Sequence, residues 1–305
     1  MKLQSITLVL LSAFATFSIS ANPSTESTNN TTSVTETGSS PRLLQTGFGF
    51  TEGGATDSDG NILFTDLRPF TIHKWDATTE EVTLFLDETQ KINGVCFDAD
   101  QNLIACQSNA RRIISIAPDG SETVLTDNYN GGKFNSPNDL WIDSKGGIYF
   151  TDPRYGKVRD DMELDGEHVF YISPDHSHVT RVTDDLKRPN GIIGSVDGKT
   201  LYIGDTGLNK IFAYTIEEDG TLTNKRIFVD THGSDGFALD TQGNLYTTSG
   251  PVRIYAPDGT HIQDIELPEK SSNVCFAGTD RKTLFITARK SIYAIPLNLP
   301  GHSDN

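Results

Sequence analysis

Six short strand pairs along this 305-residue chain begin with a side chain that could bind a metal ion or a polar ligand. The six positions hold two carboxylates and four amides: Glu52, Asn93, Asn138, Asn190, Asp235 and Asn273. Oxygen ligands of these kinds are the ones that hard divalent cations prefer, Ca²⁺ most naturally. None of the six is a cysteine or a histidine, which argues against a dedicated zinc site. The pattern therefore predicts a cation site, with Ca²⁺ as the first choice and Zn²⁺ or Mg²⁺ as alternatives.

A second interpretation of the same residues involves no ligand. Asn-Gly and Asp-Gly pairs often form tight turns, and several of the six side chains are followed by glycine. At any single position the turn is the simpler explanation. Six positions in one register, with acids at only two of them, favour the cation site.

The elements that must position these side chains form a repeat. Successive positions are 41, 45, 52, 45 and 38 residues apart, and each strand pair is followed by a third strand and usually a fourth. Such a period with several strands per unit is typical of a β-propeller. We therefore predict an all-β, six-bladed propeller, in which the first strand of every blade runs along the central channel. The six side chains would then form a ring around that channel.

The last blade lacks a strand of its own. Only 33 residues run from Asn273 to the end of the chain, and they contain three readable strands. Residues 42–46 (RLLQT) precede the first blade and are predicted to complete the sixth, which closes the ring and removes exposed edges. The alternative is a three-stranded last blade.

The N-terminal region has a different composition. Residues 1–20 carry Lys2, a short apolar stretch and small residues before Ala21, as in a secretory signal peptide. Residues 21–41 are rich in Ser, Thr and Asn and are predicted to be a linker. The propeller would span 42–305, and we expect the protein to be exported to the periplasm or secreted.

The net charge of the chain argues against two classes of partner, and its cysteines are few. The chain has 41 acidic and 25 basic side chains, for a formal net charge of −16. This balance argues against a nucleic-acid partner and against an anionic membrane surface. The three cysteines are interpreted as small buried residues, with a Cys96–Cys106 disulfide as an alternative. The oligomeric state is not indicated.

Three motifs resemble one known enzyme family: NSPND at residues 135–139, FTDPRYG at 150–156 and RPNG at 188–191. Together with most of residues 46–300, they are similar to the senescence-marker-protein/gluconolactonase/luciferin-regenerating-enzyme family, in its bacterial gluconolactonase-like branch. The resemblance implies a six-bladed propeller that binds one divalent metal, usually calcium, and hydrolyses lactones. It also implies the metal ligands, which would be Glu52, Asn138, Asn190 and Asp235.

The chemistry expected of such a site follows from charge development. A bound cation makes a lactone carbonyl more electrophilic and stabilises the oxyanion, while a carboxylate accepts the proton of the attacking water. We expect Asp235 to be both ligand and base, with Glu52 as the anchoring ligand. The reverse assignment stays open, because a sequence contains no distances.

Four residues are predicted to bind the substrate: Asn93, Asn109, Arg111 and Arg154. The two arginines could hydrogen-bond sugar hydroxyls or a substrate carboxylate, or could be ordinary solvated surface residues. The chain departs from the family where Gln107 and Ser108 replace a common Glu-His pair, at the expected pocket rim. This departure concerns substrate preference more than the metal site.

The predicted activity is metal-dependent hydrolysis of a sugar lactone, such as gluconolactone, to the aldonic acid. Two alternatives remain at this point. One is a paraoxonase-like arylesterase or phosphotriesterase, and the other is a non-catalytic ligand-binding propeller. Two acids together with two asparagines favour the enzyme.

Overall fold

The computed structural model describes Met1 and residues 33–155, 159–230 and 233–303. The predicted signal peptide, apart from Met1, and residues 21–32 of the predicted linker lie outside the described residues. All elements below belong to the unit formed by residues 33–305. No helix that is long and apolar enough to cross a membrane occurs in the described part of the chain.

Within the described residues, the strands form six four-stranded antiparallel sheets and one short hairpin. The first strand is β1 (Arg42–Thr46). Blade one contains β2 (Thr51–Thr56), β3 (Ile62–Asp66), β4 (Thr71–Trp75) and β5 (Val82–Leu86). Blade two contains β6 (Ile92–Phe97), β7 (Leu103–Gln107), β8 (Arg112–Ile116) and β9 (Glu122–Thr126). The hairpin of β10 (Asn128–Tyr129) and β11 (Gly132–Lys133) follows.

The remaining blades repeat this arrangement. Blade three contains β12 (Leu140–Ile142), β13 (Ile148–Asp152), β14 (His168–Ile172) and β15 (Val179–Thr183). Blade four contains β16 (Pro189–Gly194), β17 (Thr200–Asp205), β18 (Lys210–Ile216) and β19 (Leu222–Val229). Blade five contains β20 (Phe237–Leu239), β21 (Leu245–Thr247), β22 (Val252–Tyr255) and β23 (His261–Ile265). Blade six contains β24 (Asn273–Ala277), β25 (Thr283–Ala288) and β26 (Ser291–Pro296). The predicted six-bladed propeller is confirmed.

Burial explains why these segments form strands in this order. Every residue of β3, β7 and β13 is buried, because the second strand of a blade packs between two neighbouring blades. The outermost strands β5 and β9 are largely exposed and alternate less regularly. Glycines with φ between 67° and 87° stand at four Asp-Gly turns: Gly60, Gly120, Gly198 and Gly259. Only glycine adopts this conformation freely, so these turns are set by local sequence.

The N-terminal strand closes the ring, as predicted. β1 pairs with β26 in antiparallel register, Arg42 opposite Ala294 and Thr46 opposite Ser291, so blade six has four strands. The three-stranded alternative is therefore wrong.

The end of the predicted linker also contacts the propeller. Val34 is 2% exposed and belongs to the hydrophobic cluster that contains Leu297. Thr35 forms a β-bridge with Leu297, and Asn298 Nδ2 donates hydrogen bonds to the carbonyl oxygens of Ser33 (2.7 Å) and Thr35 (2.9 Å). Residues 33–35 therefore belong to the fold, because one apolar side chain and the backbone find partners on blade six.

Packing between blades accounts for the tryptophans and cysteines. Trp75 and Trp141 are buried in hydrophobic clusters, and Trp141 stacks on Tyr149 with ring centroids 5.7 Å apart. No disulfide joins Cys96 to Cys106, so that alternative is wrong. Burial raises the pKa of the Cys106 thiol well above its usual value, which keeps it protonated and unreactive.

Candidate metal and substrate site

The structure brings five of the six ring residues to one cavity of about 480 Å³: Glu52, Asn93, Asn138, Asn190 and Asp235. Three of them are second residues of first strands, in β2, β6 and β16, and the other two lie two residues before β12 and β20. The sixth, Asn273, lines a smaller cavity further along the channel. Its Oδ1 accepts a hydrogen bond from the Val274 N–H (2.8 Å), so this amide supports its own strand.

The glycines beside these residues are not in turns, so the turn interpretation is wrong. A Cβ atom on Gly94 would lie 2.7 Å from the Asn138 carbonyl oxygen, and one on Gly191 would lie 2.1 Å from that of Asp235. Real Cβ atoms do not approach carbonyl oxygens this closely. Glycine is therefore required because the next blade's ring residue packs directly against the backbone, which places neighbouring ring residues side by side.

Three buried aspartates hold the loops that lead into the site: Asp66, Asp152 and Asp205. Each ends the second strand of its blade and accepts two backbone N–H bonds of 2.7–3.0 Å from the residues just before the first strand. Those residues precede Glu52, Asn138 and Asn190 by two or three positions. These aspartates therefore cap the loops, and their oxygens are engaged in that task.

The two predicted acids share an electrostatic environment that disfavours their charge. Burial raises the pKa of Glu52 well above its usual value, and the nearby Asp235 and Asp139 carboxylates add to the effect. Burial likewise raises the pKa of Asp235, to about 7, while a hydrogen bond from Asn190 and the charge of Arg289 oppose the shift. A cation placed between such groups would remove the penalty on both.

The amides at the site differ in their surroundings. Asn190 Nδ2 donates to the Tyr155 hydroxyl (2.6 Å), which also lies 3.1 Å from Thr206 Oγ1. This contact directs the Asn190 amide nitrogen toward Tyr155. The side chains of Asn93 and Asn138 are less than 10% exposed and make no hydrogen bond to another described residue. Both line the cavity and are therefore able to bind a ligand.

The predicted substrate-binding residues Asn109, Arg111 and Arg154 also line this cavity. The arginines are not solvated surface residues, since their side chains are only 15% and 18% exposed. Arg111 donates to the carbonyl oxygen of Phe134. Arg154 Nη1 donates to the carbonyl oxygen of Asn135 (3.1 Å), and Arg154 Nη2 donates to the Asp161 carboxylate. Carbonyl oxygens and a carboxylate therefore fix both guanidinium groups in the cavity wall.

Sequence reasoning missed three residues at or near the site: Lys91, Tyr155 and Asp139. Lys91 and Tyr155 line the cavity, and burial raises the pKa of Tyr155 to about 12. Asp139 lies beside Asn138, and burial raises the pKa of its carboxyl to about 7. Tyr155 and Asp139 sit in the recognised FTDPRYG and NSPND motifs, so the motifs were a usable signal for both. Lys91 lies in a loop with no repeated pattern.

The donor set at this site fits a hard divalent cation. No three described His, Cys, Asp or Glu side chains cluster in a geometry for a metal. The predicted set instead combines the Glu52 and Asp235 carboxylates with amides, and neither acid forms a salt bridge with a described residue. Two carboxylates without a salt bridge to a described residue, together with the amide oxygens of Asn138 and Asn190, suit Ca²⁺, which accepts a mixed set of oxygen ligands.

Comparison with known proteins gives a consistent result. Residues 50–290 match the family profile described as the SMP-30/Gluconolactonase/LRE-like region. A gluconolactonase from Zymomonas mobilis subsp. mobilis is 29% identical, in an alignment covering 95% of this chain and 94% of that protein. Lactonase drp35 from Staphylococcus aureus (strain MRSA252) is 32% identical over 77% of this chain and 70% of that protein.

A solved structure gives the same picture. A gluconolactonase from Xanthomonas campestris superposes with a TM-score of 0.80 at 32% identity, covering 87% of this chain and 91% of that one. The similarity thus extends over nearly the full length of both proteins, and the matched profile spans all six blades. This protein belongs to the SMP-30/gluconolactonase/LRE-like family.

Proposed function

We propose that this protein hydrolyses a sugar lactone of the gluconolactone type to the aldonic acid, with the help of one divalent cation. The observation that carries the proposal is that two carboxylates, Glu52 buried and Asp235 partly exposed, line the same 480 Å³ cavity as the amides of Asn138 and Asn190, with the pKa of both acids raised by burial. Relatives similar over most of their length are a gluconolactonase and a lactonase. A cavity of this size accommodates a small, polar, ring-shaped substrate.

Four side chains would hold the cation: Glu52, Asn138, Asn190 and Asp235. The ion, Ca²⁺ as first choice, would supply positive charge that polarises the lactone carbonyl. Tyr155 accepts the hydrogen bond of the Asn190 amide nitrogen, which leaves the amide oxygen for the ion. Asp66, Asp152 and Asp205 keep the preceding loops in place, so that little reorganisation is needed on binding.

Asp235 is the better candidate for the base. The Asn190 hydrogen bond and the charge of Arg289 both favour its ionised form, whereas neighbouring carboxylates disfavour that of Glu52. Water attacks the carbonyl carbon while its proton passes to Asp235. The bond from that carbon to the ring oxygen then breaks, and the alkoxide takes the proton from Asp235. The products are one carboxyl group and one hydroxyl group, and the carboxylate is restored.

The test is acid release from glucono-1,5-lactone in a pH-stat, corrected for spontaneous hydrolysis. Activity should require Ca²⁺ or another divalent ion, fall to background in chelator, and fall at least about 100-fold in Asp235→Asn. Asp197→Asn, in the exposed turn between β16 and β17, is the matched control and should retain activity. Lactone hydrolysis that is unaffected by chelator would overturn the metal requirement. Hydrolysis confined to phenyl acetate or a phosphotriester would assign the alternative esterase function.

We also propose that the protein is exported, on the strength of residues 1–20 alone. Cell fractionation of the natural host, followed by N-terminal sequencing of the mature protein, tests this directly. A protein that begins at Met1 and stays in the cytoplasm would contradict the proposal.

A further inference from the structure

Cationic side chains collect around the cavity of this strongly acidic protein. Lys91, Arg111 and Arg154 line the same 480 Å³ cavity as Glu52 and Asp235. An adjoining cavity of about 170 Å³ shares Asp235 and is lined by Lys270 and Arg289. The lining of the 480 Å³ cavity holds three cations and three acids, the third acid being Asp161, so it is balanced in charge whereas the protein as a whole carries −16.

These cations differ in how fully they are neutralised. Arg154 is ion-paired with Asp161, and the Arg111 guanidinium lies 3.5 Å from Glu163. Lys91 is partly buried and forms no salt bridge with any described residue. Burial and the positive charge of Arg154 together lower the pKa of the Lys91 ammonium group. Lys91 is thus a partly buried ammonium group that is disfavoured by the charge of Arg154 and forms no salt bridge within the described part of the chain.

A neutral sugar would leave this ammonium partly desolvated and unpaired, which is unfavourable. An anionic group would remove that penalty and would form a charge-assisted hydrogen bond. Lysine presents a compact point charge, so it suits one oxygen of a carboxylate or phosphate without demanding a bidentate fit.

Resting on the lactonase function proposed above, we propose that the substrate is an anionic sugar lactone whose carboxylate or phosphate is bound by Lys91. The lactone carbonyl then lies toward Glu52 and Asp235, in the same cavity. The ion pair with Lys91 orients the substrate, since it holds the anionic end at that side chain and leaves the lactone ring to extend into the cavity. Lys91 is in this role a specificity-determining residue, and Lys270 and Arg289 attract the same anions to the mouth.

The experiment compares lactones that differ only in charge. Glucaric acid 1,4-lactone carries a carboxylate where glucono-1,4-lactone carries a hydroxymethyl group, so the ratio of their kcat/KM values reports recognition of the anion. We expect a ratio of about 10 for the unaltered protein, mainly through KM. The ratio should fall to about 1 in Lys91→Met, recover in Lys91→Arg, and decrease in 0.5 M NaCl. Lys199→Met, which removes an exposed charge in the β16–β17 turn, should keep the ratio.

The source of the anion is distinguished by a second pair. The ratio of kcat/KM for 6-phosphogluconolactone to kcat/KM for glucono-1,5-lactone reports recognition of a phosphate. If this ratio exceeds the ratio for the glucaric acid lactone and glucono-1,4-lactone, the anion that Lys91 recognises is a phosphate. A ratio near 1 in the unaltered protein, or one that survives in Lys91→Met, would overturn the proposal.

Binding separates this proposal from the lactonase function. Titration calorimetry with glucuronate and glucose, which differ by a carboxylate against a hydroxymethyl group, needs no turnover, and glucuronate should bind about tenfold more tightly to the unaltered protein but not to Lys91→Met. If no lactone is hydrolysed but this difference is found, the lactonase function fails and the anion site stands. If neutral and anionic lactones are hydrolysed equally and the difference is absent, the lactonase function stands and the anion site fails.

Discussion

Two carboxylates in one poorly solvated cavity compete for protons whenever no cation lies between them. Glu52 is buried and Asp235 is partly exposed to the cavity, and each raises the cost of ionising the pair. This cost is borne by the metal-free protein. The same feature that makes the site able to bind a cation therefore makes the fold less stable without one.

Replacing Glu52 by glutamine should separate binding from stability. The variant keeps the shape of the side chain but loses one buried charge, so the metal-free protein should be more stable than the unaltered one by roughly 1–3 kcal/mol at pH 8. The rise in Tm on adding Ca²⁺ should disappear. Differential scanning calorimetry with chelator and with Ca²⁺ measures both effects, with Asp197→Asn as control. A Ca²⁺-dependent rise in Tm that persists in the variant would remove Glu52 from the ligand set.

The pH dependence has a defined sign. The pKa of Asp235 is raised from an ordinary 3.8 to about 7, so the folded, metal-free state holds a proton that the unfolded chain releases. The stabilisation that Asp235 contributes to the folded state is complete below pH 4 and is lost as the pH rises through 7. The Tm of the metal-free protein should therefore fall between pH 5 and pH 8. Each proton involved changes the free energy of unfolding by at most about 1.4 kcal/mol per pH unit.

Cation binding should show the complementary behaviour. Since Ca²⁺ and protons compete for the same oxygens, the Ca²⁺ affinity should rise from pH 5.5 to pH 8, and binding should release more protons at pH 6 than at pH 8.5. Calorimetry in two buffers of different ionisation enthalpy counts the protons. An affinity that does not change with pH would contradict a site built on these two acids.

At the scale of strands, the ring depends on how closely neighbouring blades approach. Gly191 lies against the carbonyl of Asp235, and Gly94 against that of Asn138, so the backbone of one blade positions the ligand of the next. A side chain at either position would displace the backbone of a predicted ligand while leaving the chemical groups of that ligand unchanged.

Gly191→Ala is the test of this arrangement. Its Cβ would lie 2.1 Å from the Asp235 carbonyl oxygen, so we expect Ca²⁺ affinity and kcat/KM to fall at least about tenfold and stability to fall by roughly 1–3 kcal/mol. Gly250→Ala is the control, because its nearest neighbour is the flexible tip of Arg253 at 3.4 Å. Calorimetric Ca²⁺ titration of both variants checks the prediction. An unchanged affinity in Gly191→Ala would show that the blades tolerate a wider separation.

The limits of sequence reasoning are clearest at this scale. The repeat period predicted the blades and the ring, because strand starts recur in one register. The glycines beside the ring residues were interpreted as possible turn residues, because the atoms that require glycine there belong to another blade, some 45 residues away in the sequence. Lys91 was missed for a related reason: it has positive φ (59°) in a loop whose path is set by contacts and not by periodicity. Arg111 was left undecided because its partners, Phe134 and Lys133, lie on a separate segment.

At the scale of the whole molecule, one strand decides whether the sheet ring is closed. β1 supplies the outer partner of β26, and Leu44 packs into the cluster that contains Phe48 and Phe285. Without β1, the backbone groups of β26 would form an open edge.

A variant beginning at residue 48 should be less stable than one beginning at residue 33. The shorter chain loses the β1–β26 hydrogen bonds and the buried Val34, for an expected loss of roughly 3–6 kcal/mol in the free energy of unfolding. Urea denaturation followed by fluorescence of Trp75 and Trp141 measures the difference. A third variant beginning at residue 41 separates the contribution of residues 33–40 from that of β1. Equal stability of all three would contradict ring closure by β1.

The order of synthesis adds a consequence. Thr46 and Ser291, whose side chains are hydrogen-bonded, are 245 residues apart, so the strand that leaves the ribosome first is the last to find its partner. Until β26 exists, β1 has no edge to join, and five completed blades must wait for closure. During that interval, at high protein concentration, the open edge of β26 in one chain can pair with β1 of another chain instead of its own. Exchange of this strand between copies is therefore the characteristic misassembly of this architecture, favoured by high concentration and slow completion.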